Sequence, residues 1–458
     1  MCGIGGIISK KNKPILYNEL KIISEANKNR GPDSYGEWIN NNKTISIINR
    51  RLSTQDARSI ANQPIFSSNG RSVTVLNGEI YNHFDLRNFL KKKGYSFKSN
   101  SDAETLAASY DYWGEKLIEK LEGQYAFFAL NIDENKGILV RDRFGISPIY
   151  YVNNNDYFYF SSLQKPLIQI LKKNHSLNLK NTSVSEFIVS DMCYQNNTIF
   201  ESIKYMSPSN FILFENNQSS LPKFFNYMQQ DFFEIKKEKK DYFIDKSKKL
   251  IQESINKTLS GDKNVGIYLS GGIDSVSIVS LIKKYYPEKN INTYTAAFKD
   301  SSNEIIGELE TAKQVSDHLN LNNYQYITSS NAIFDSLGSF DQPEASIINS
   351  VLNNLSKIAS LNKDEVVLSG EGADEIFLGY DHFLALIKNF DQKYENILKD
   401  YNLRNSQYFD NSKNFTDFFL GGGVDIDLNL NLNKVFNDSS LHSTCISKEV
   451  NNTINELA

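Results

Sequence analysis

Cysteine and histidine are scarce in this chain of 458 residues, which holds three cysteines and five histidines. Cys2, Cys193 and Cys445 lie far apart, so the sequence has neither a disulfide framework nor a paired-cysteine metal site. The histidines show no metal-ligand spacing. We therefore expect free thiols, which a reducing cytoplasm keeps available.

Long apolar runs and a large excess of one charge are also missing. No stretch is long enough to cross a membrane, and the N-terminus carries its charges after apolar residues, the wrong order for a signal peptide. The net charge of −4 gives no reason to expect nucleic acid. Because a single core rarely serves so long a chain, the length predicts two domains.

The apolar pattern before residue 215 is typical of strands. Short runs rich in β-branched and aromatic residues alternate with turn residues, and helical patterns interrupt them near 83–93 and 102–113. This arrangement predicts a mostly antiparallel sheet domain with helical cover. The predicted strands are 44–49, 72–78, 125–131, 137–141 and 157–162.

The pattern changes between residues 215 and 245, and helical stretches then alternate with short apolar strands. That alternation predicts a parallel sheet wound with helices. The predicted strands are 264–269, 291–298, 323–327 and 365–368. We expect a first domain, a connector, a second domain and a short helical or irregular C-terminal segment at 2–217, 218–243, 244–385 and 386–458.

The first loop of the second half is "SGGIDS" at 270–275, between a strand and a helix. Glycines let a ligand approach the backbone closely, and a helix N-terminus offers free N–H groups, so phosphate is the expected ligand. The loop has neither a Walker lysine nor the GxGxxG pattern. An ordinary Gly-Gly turn explains the spacing equally well, but Asp274 favours phosphate bridged by a cation such as Mg²⁺.

A second loop, "SGEGADE" at 369–375, follows the strand 365–368. Its three carboxylates would repel one another without a task, although a polar turn and helix cap is the simpler interpretation. One carboxylate can hold a metal and another can accept a proton. In a doubly wound sheet both loops lie at the carboxyl ends of strands, where ligands bind.

Motifs in both halves, taken together, are specific. "SGGIDS" resembles the pyrophosphate loop of the ATP-pyrophosphatase family. The N-terminal half resembles class II glutamine amidotransferases, and the combination resembles glutamine-hydrolysing asparagine synthetases of the B type. The motifs of that half are "MCGIGGI", "RGPDS" (30–34), "RRLSTQD" (50–56), "NGEIYNH" (77–83), "SDAE" (101–104) and "RDRFGISPIYY" (141–151).

The resemblance implies a fold for each half. The first half would form an N-terminal-nucleophile, four-layer α/β/β/α sandwich of the α+β class. The second half would form a doubly wound α/β parallel sheet of the ATP-pyrophosphatase type. The chain departs from the family pattern at Leu163, where a glutamate is common, and at "FLGY" (377–380). It also lacks a recognisable late lysine and is short at its C-terminus.

In the first half, the resemblance makes Cys2 the nucleophile, with its own α-amine as base once Met1 is removed. Asn77 and Gly78 would form the oxyanion hole. Simpler interpretations exist: "NG" is a frequent hairpin turn, and "SDAE" matches a capping box. The residues expected to bind glutamine are Arg51, Leu52, Ser53, Thr54, Gln55, Asn77, Gly78, Glu79 and Asp102. Of these, Arg51 would hold the carboxylate, and Glu79 and Asp102 the ammonium group.

In the second half, the resemblance implies ATP and Mg²⁺. Asp274 and Asp374 would coordinate the metal, and Glu371 would support formation or attack of an acyl-adenylate. The residues expected to hold ATP are Leu269, Ser270, Gly271, Gly272, Asp274, Ser275, Ala296, Ser369 and Gly370.

The implied reaction uses glutamine, aspartate and ATP to give asparagine, glutamate, AMP and pyrophosphate. Ammonia would pass between the sites along an enclosed path. Two alternatives stay open: another acceptor, such as a sugar acid or a secondary metabolite precursor, or a glutaminase whose second domain no longer transfers nitrogen. We expect only small-molecule partners, without nucleic acid or membrane, and a homodimer is an open expectation.

Overall fold

The computed structural model describes residues 2–190, 192–225, 239–259, 263–299, 304–328, 340–343, 348–377 and 379–380. The predicted C-terminal segment 386–458 lies outside these residues, as does the end of the predicted second domain. The helices are α1 (Tyr17–Ala26), α2 (His83–Lys92), α3 (Asp102–Trp113), α4 (Lys165–Lys173), α5 (Asn181–Ser190), α6 (Lys240–Thr258), α7 (Ile273–Tyr285), α8 (Leu309–His318), α9 (Ile348–Leu361) and α10 (Ala373–Phe377).

Strands in the first half form two antiparallel sheets. One has the order β10-β8-β9-β1-β3-β2, and the other β12-β11-β7-β6-β5-β4 with β13 paired to β11. Their strands are β1 (Gly3–Ser9), β2 (Ser34–Ile39), β3 (Ile45–Arg51), β4 (Ile65–Phe66), β5 (Ser72–Ile80), β6 (Gly123–Asn131), β7 (Lys136–Arg141), β8 (Tyr150–Asn153), β9 (Tyr157–Ser161), β10 (Ile203–Tyr205), β11 (Asn210–Glu215), β12 (Gln218–Ser219) and β13 (Lys223–Phe224).

Three buried clusters define four layers in this half. Alternation along β1 directs Ile4 and Ile8 into the core between the two sheets, and Ile7 to the opposite face. On that opposite face, Ile7 packs with Leu20 of α1, and the cluster also includes residues of α4. Helix α3 covers the outer face of the second sheet. The order helix, sheet, sheet, helix confirms the expected α/β/β/α sandwich.

The second half has a five-stranded sheet that is parallel apart from one short strand. The sheet order is β16-β15-β14-β18, with β17 paired to β15, and only β16 runs antiparallel. Apolar clusters lie on both faces, one with α6, α7 and α8 and the other with α9. This is the expected doubly wound arrangement. The strands are β14 (Val265–Tyr268), β15 (Asn292–Lys299), β16 (Ile305–Ile306), β17 (Asn322–Thr328) and β18 (Val366–Leu368).

The predicted strands and helices fall within one or two residues of those observed. The stretch 218–243 differs from a plain connector at both ends. Strands β12 and β13 extend the second sheet of the first half as far as Phe224, and α6 begins at Lys240. Most of the residues between them, 226–238, lie outside the described part of the chain.

Candidate functional site

Cys2 lies at the beginning of β1, in the interior of the first domain. The register of β1 with β3 pairs Gly3 with Arg50, which brings Cys2 beside Leu52. The Leu52 N–H donates to the Cys2 sulfur at 3.4 Å, and the side chain is 7% exposed. Burial raises the pKa of the thiol, while the nearby chain amino terminus lowers it. A neutral thiol beside an amine is suited to transfer its proton during attack.

Arg51 is buried and holds the loop that follows it. Its guanidinium donates to the carbonyls of Gln55 at 2.6 Å and Asp56 at 2.7 Å, and to the Asn62 side chain at 3.1 Å. Three of its five N–H groups are thereby engaged. The predicted glutamine-binding residues Leu52 to Gln55 therefore form a loop ordered by Arg51.

Asn77 and Gly78 lie within β5, so the interpretation of "NG" as a hairpin turn is wrong. Gly78 has φ +127° and pairs with Tyr125, and a Cβ there would come 2.0 Å from the Gln124 carbonyl oxygen. Asn77 is fully buried, and neither its amide nitrogen nor its amide oxygen has a partner among the described residues. Because buried polar groups are normally paired, this amide points to a ligand.

Glu79 and Asp102 form a buried acidic pair. Burial and the Asp102 charge together raise the pKa of Glu79 to about 7, although a hydrogen bond with Thr54 opposes the shift. Burial also raises the pKa of Asp102, against hydrogen bonds from the N–H groups of Ile80 at 3.0 Å and Ala103 at 2.9 Å. Two carboxylates whose pKa values are raised in this way favour a ligand with positive charge.

The "SDAE" motif begins α3 and leaves Asp102 at the site. The Ser101 hydroxyl accepts from the Ala103 N–H at 3.2 Å, as an N-cap does. Glu104 does not complete a reciprocal box, because it accepts from the N–H groups of Lys98 and Ser99. The cap and the placement of Asp102 are compatible.

These residues act on one another, which makes them one site. The charges of Asp102 and Arg51 influence the Cys2 thiol, and Thr54 contacts Glu79. Strand β1, which directly follows Cys2, is in contact with strand β5, which carries Asn77. The first half thus brings together a buried thiol, an amide without a hydrogen-bond partner among the described residues, an acidic pair and a buried arginine.

Two residues that sequence analysis did not assign support this site. Arg30 donates through Nε to the Cys2 carbonyl at 3.0 Å, and Asp33 accepts from the Ser53 N–H at 2.8 Å. Both belong to the motif "RGPDS", which can be recognised in the sequence. Their roles depend on contacts with residues up to 28 positions away, which local sequence does not specify.

The second candidate site lies where the strand order of the parallel sheet reverses. From β14 the chain proceeds through α7 to β15 on one side, while β18 pairs with β14 on the other. The loops after β14 and β18 therefore flank the same crevice, the usual ligand position in such sheets. A Cβ at Gly370 would lie 2.9 Å from both the Asp274 Cβ and the Ser275 N, so the two loops are in contact.

The first of these loops is ordered by its own serines. Ser270 Oγ lies 3.1 Å from Ser275 Oγ and accepts from the Gly272 N–H at 3.2 Å. Gly272 is the N-cap of α7, and this residue has no side chain that could cap the helix. Its first N–H groups are available for an anion.

Leu269 and Ala296 differ from the other predicted nucleotide residues, because both belong to the sheet region. Leu269 is buried, and its backbone bonds to the Tyr294 carbonyl at 2.9 Å and to the Thr295 hydroxyl at 2.8 Å. Ala296 lies in β15, opposite Tyr326.

Carboxylates at this crevice fit a magnesium nucleotide. Asp274 and Asp374 are both half-buried, and Glu371 is exposed on the second loop. Within the described residues, no group of three or more potential ligands surrounds a common point. Mg²⁺ commonly takes one or two carboxylates together with phosphate oxygens, so this donor set suits an ion that arrives with ATP.

Two family models match successive parts of the chain. The family model "Glutamine amidotransferase domain" matches residues 1–225, and the model "Asparagine synthase" matches residues 246–421. Within the described residues, no helix has the length and apolar character needed to cross a membrane.

Three relatives illustrate the similarity. Asparagine synthetase [glutamine-hydrolyzing] 1 of Bacillus subtilis is 30% identical, covering 83% of this chain and 59% of its own length. Asparagine synthetase B of Escherichia coli is 26% identical, over 84% and 65%. Amidase chry2 of Gibberella zeae is 25% identical, over 84% and 60%. The chain thus spans about three fifths of the length of these relatives.

The folds and sites define a class of two-domain proteins, in which an N-terminal-nucleophile amidotransferase fold precedes an ATP-pyrophosphatase fold. Both parts match their family models in the expected order. Both domains of the chain resemble the corresponding domains of glutamine-hydrolysing asparagine synthetases.

Proposed function

We propose that this protein transfers the amide nitrogen of glutamine to a carboxylic acid that ATP has activated as an acyl-adenylate. The unpaired buried amide of Asn77 carries the proposal, because it is an unused donor in the domain of a buried thiol. The loop pair at 270–275 and 369–375 supports the second half of the reaction. We propose two domains joined by a connector, with the first domain extended from 217 to Phe224 because β12 and β13 belong to its second sheet.

In the first domain, the Cys2 sulfur attacks the carboxamide carbon of glutamine. Removal of Met1 frees the α-amine of Cys2, which takes the thiol proton and returns it to the leaving ammonia. The negative charge on the carbonyl oxygen is met by the Asn77 amide nitrogen and the Gly78 N–H. Water then releases glutamate from the thioester.

Recognition of glutamine uses the charges around this thiol. Glu79 and Asp102 receive the ammonium group, which relieves the repulsion between two buried carboxylates. Arg51 holds the α-carboxylate with its remaining N–H groups. Both ends of the amino acid are thereby oriented while the carboxamide faces Cys2.

In the second domain, the loop 270–275 and the start of α7 bind the pyrophosphate part of ATP. Asp274 and Asp374 would hold Mg²⁺, which when bound neutralises phosphate charge. A carboxylate oxygen of the acceptor attacks the α-phosphorus, and pyrophosphate leaves. Ammonia then displaces AMP from the acyl carbon, with Glu371 as the group that removes a proton. The ammonia must travel through an enclosed path, because protonation would end its nucleophilicity.

Aspartate is the proposed acceptor, with asparagine as the product. The names of two of the three relatives support this choice, and the name Amidase chry2 keeps another carboxylic acid as the second candidate. A panel of acids in an AMP-release assay decides between them. Release of AMP that requires aspartate supports the first, and release with a different acid alone supports the second.

A Cys2→Ala variant tests the division of labour. We expect it to lose AMP release driven by glutamine and to keep AMP release driven by ammonia, because ammonia bypasses the thiol. Cys193→Ala is the matched control, since Cys193 is also a free cysteine. It should keep both activities.

Two results contradict the proposal. Loss of both activities in Cys2→Ala would mean that the thiol does not serve nitrogen release alone. Glutamine hydrolysis without AMP formation from any acid would favour a glutaminase with a non-catalytic second domain. Mass spectrometry of the intact N-terminus adds an independent check, because retained Met1 would block the α-amine.

A further inference from the structure

Helix α4 of the first domain begins without a cap of its own. Its N-cap residue, Gln164, makes no side-chain cap hydrogen bond, and the first turn carries no acidic residue. The first N–H groups of a helix need acceptors, and the helix dipole favours negative charge there. The required acceptor therefore has to come from elsewhere in the molecule.

Asp341 of the second domain supplies that acceptor. Its carboxylate accepts from the Gln164 N–H and, at 2.8 Å, from the Lys165 N–H. The two domains are thus joined by a helix cap whose two parts lie 176 and 177 positions apart in the chain. A half-buried carboxylate with two backbone donors is held more firmly than an exposed ion pair.

The next residue makes a second contact with the first domain. The Tyr150 hydroxyl donates to the Gln342 side-chain oxygen at 3.0 Å, and Tyr150 is buried in β8. Two consecutive residues of the second domain are therefore docked on two elements of the first. We call residues 340–343 the docking segment.

Arg30 connects the docking segment with Cys2, the proposed nucleophile. Arg30 donates to the Cys2 carbonyl at 3.0 Å, and the charges of Arg30 and Asp341 act on each other. The Nη2 atom of Arg30 is buried and has no hydrogen-bond partner among the described residues. The guanidinium is thus held through Nε at the Cys2 carbonyl, and the charge of Asp341 acts on it as well.

We propose that Asp341 is a positioning residue that couples the domains: by capping α4 and by the action of its charge on Arg30, it orients the backbone of Cys2 when the docking segment is seated. This inference rests on the proposed role of Cys2 as nucleophile. Glutamine hydrolysis is then most efficient when the second domain is engaged with the first.

The variants Asp341→Ala and Asp341→Asn test this role. Asp341→Ala removes both acceptors and the charge, whereas Asp341→Asn keeps one oxygen acceptor without the charge. Asp317→Ala is the matched control, because Asp317 is an exposed acid on α8 of the same domain. Glutamate release, AMP release with ammonia, and hydrogen exchange of the amides at the start of α4 are measured for each.

For Asp341→Ala we expect the kcat of glutamate release to fall about five-fold, because the free energy lost with a helix cap corresponds to a factor of that order. The KM for glutamine should change less than the kcat, because the groups proposed to bind glutamine are untouched. Exchange of the Gln164 and Lys165 amides should accelerate, and AMP release with ammonia should stay near the wild-type rate. Asp341→Asn should give an intermediate kcat, and Asp317→Ala none of these effects.

Unchanged exchange at the start of α4 would overturn the cap, and faster exchange with unchanged kcat would overturn the positioning role. An equal fall of AMP release with ammonia would indicate general damage and also contradict the inference. If the wild type forms no AMP with any acid, the proposed transfer reaction fails. Glutamate release and exchange still decide the role of Asp341 in that case.

Discussion

At the scale of single residues, the first site contains groups that are costly without a ligand. The Asn77 amide is buried and has no hydrogen-bond partner in the part of the chain that the structure describes, which costs about 1–3 kcal/mol. Burial is the main cause of the raised pKa values of Glu79 and Asp102, and the Asp102 charge adds to the shift of Glu79. A substrate that brings an acceptor oxygen and an ammonium group removes both costs. The site is therefore arranged for an amino acid amide.

The variant Asn77→Leu separates these effects. Leucine has the same branched skeleton of four heavy atoms and removes two polar atoms that have no partner among the described residues, so we expect the free energy of unfolding to stay level or to rise by about 1 kcal/mol. Glutamate release should fall about 100-fold, as for a lost oxyanion donor. Chemical denaturation and a glutaminase assay measure the two. A large loss of stability would show that the amide has a partner.

The raised pKa of Glu79 predicts a pH dependence of glutamine binding. Below pH about 7 this carboxyl is protonated and receives an ammonium group poorly, so the KM for glutamine should fall as the pH rises through 7. Since the folded state raises this pKa, Glu79 favours folding less as the pH rises from its unfolded value to about 7.

Glu79→Gln should remove the pH dependence of the KM that Glu79 causes. Glu119→Gln is the control, because Glu119 is exposed in the same domain. Steady-state kinetics between pH 6 and pH 8 (about one unit either side of the pKa) checks this. An unaltered KM profile in Glu79→Gln would assign the titration to another group.

At the scale of elements, the pairing of β5 with β6 depends on one glycine. Gly78 adopts φ +127°, and the Gln124 carbonyl occupies the space that a Cβ would need. The strand continues through Ile80 only because this position has no side chain. The same residue carries the second proposed donor of the oxyanion hole, its backbone N–H.

Gly78→Ala should therefore be destabilising by about 2–4 kcal/mol, the sum of backbone strain and overlap. Gly70→Ala is the matched control: Gly70 has φ +74°, but nothing lies within 4 Å of its Cβ position. We expect Gly70→Ala to cost only about 1 kcal/mol. Thermal and denaturant unfolding compare the two, and equal losses would refute the steric argument.

At the scale of the whole molecule, the two sites have separate supports. The first site depends on the two-sheet sandwich, and the second depends on the reversal of strand order at β14 and β18. Contacts between the domains include the pair Lys257–Glu122 at 2.6 Å, which is exposed and contributes little, and the Asp341 cap. Damage to one site should leave the other working.

Gly370→Ala tests this independence. The new Cβ would lie 2.9 Å from Asp274 and Ser275, so the loops 270–275 and 369–375 must separate. We expect AMP release to fall at least about ten-fold with either nitrogen source, since a small displacement of reacting groups has a large effect. Glutamate release should persist. Loss of glutamate release as well would contradict separate supports.

Much of the fold could be predicted from periodicity, because strands such as β5, β6 and β7 carry long apolar runs with clear turn signals. Short edge strands such as β12 and β13 could not, since two residues have no period and pair only because β11 is present. The "NG" pair was wrongly interpreted as a turn, because the same two residues can also lie within a strand when the glycine adopts a positive φ.

The sequence by itself determined the two-domain order, the strand and helix types and the candidates Cys2, Asn77, Asp102 and Asp274, because these follow from local pattern and motif resemblance. Only the tertiary structure decided that Arg51 holds its own loop, that Asn77 is unpaired and that Asp341 caps α4. Each of these depends on burial or on contacts distant along the chain. Such contacts exist only after the chain has folded, and no local pattern encodes them.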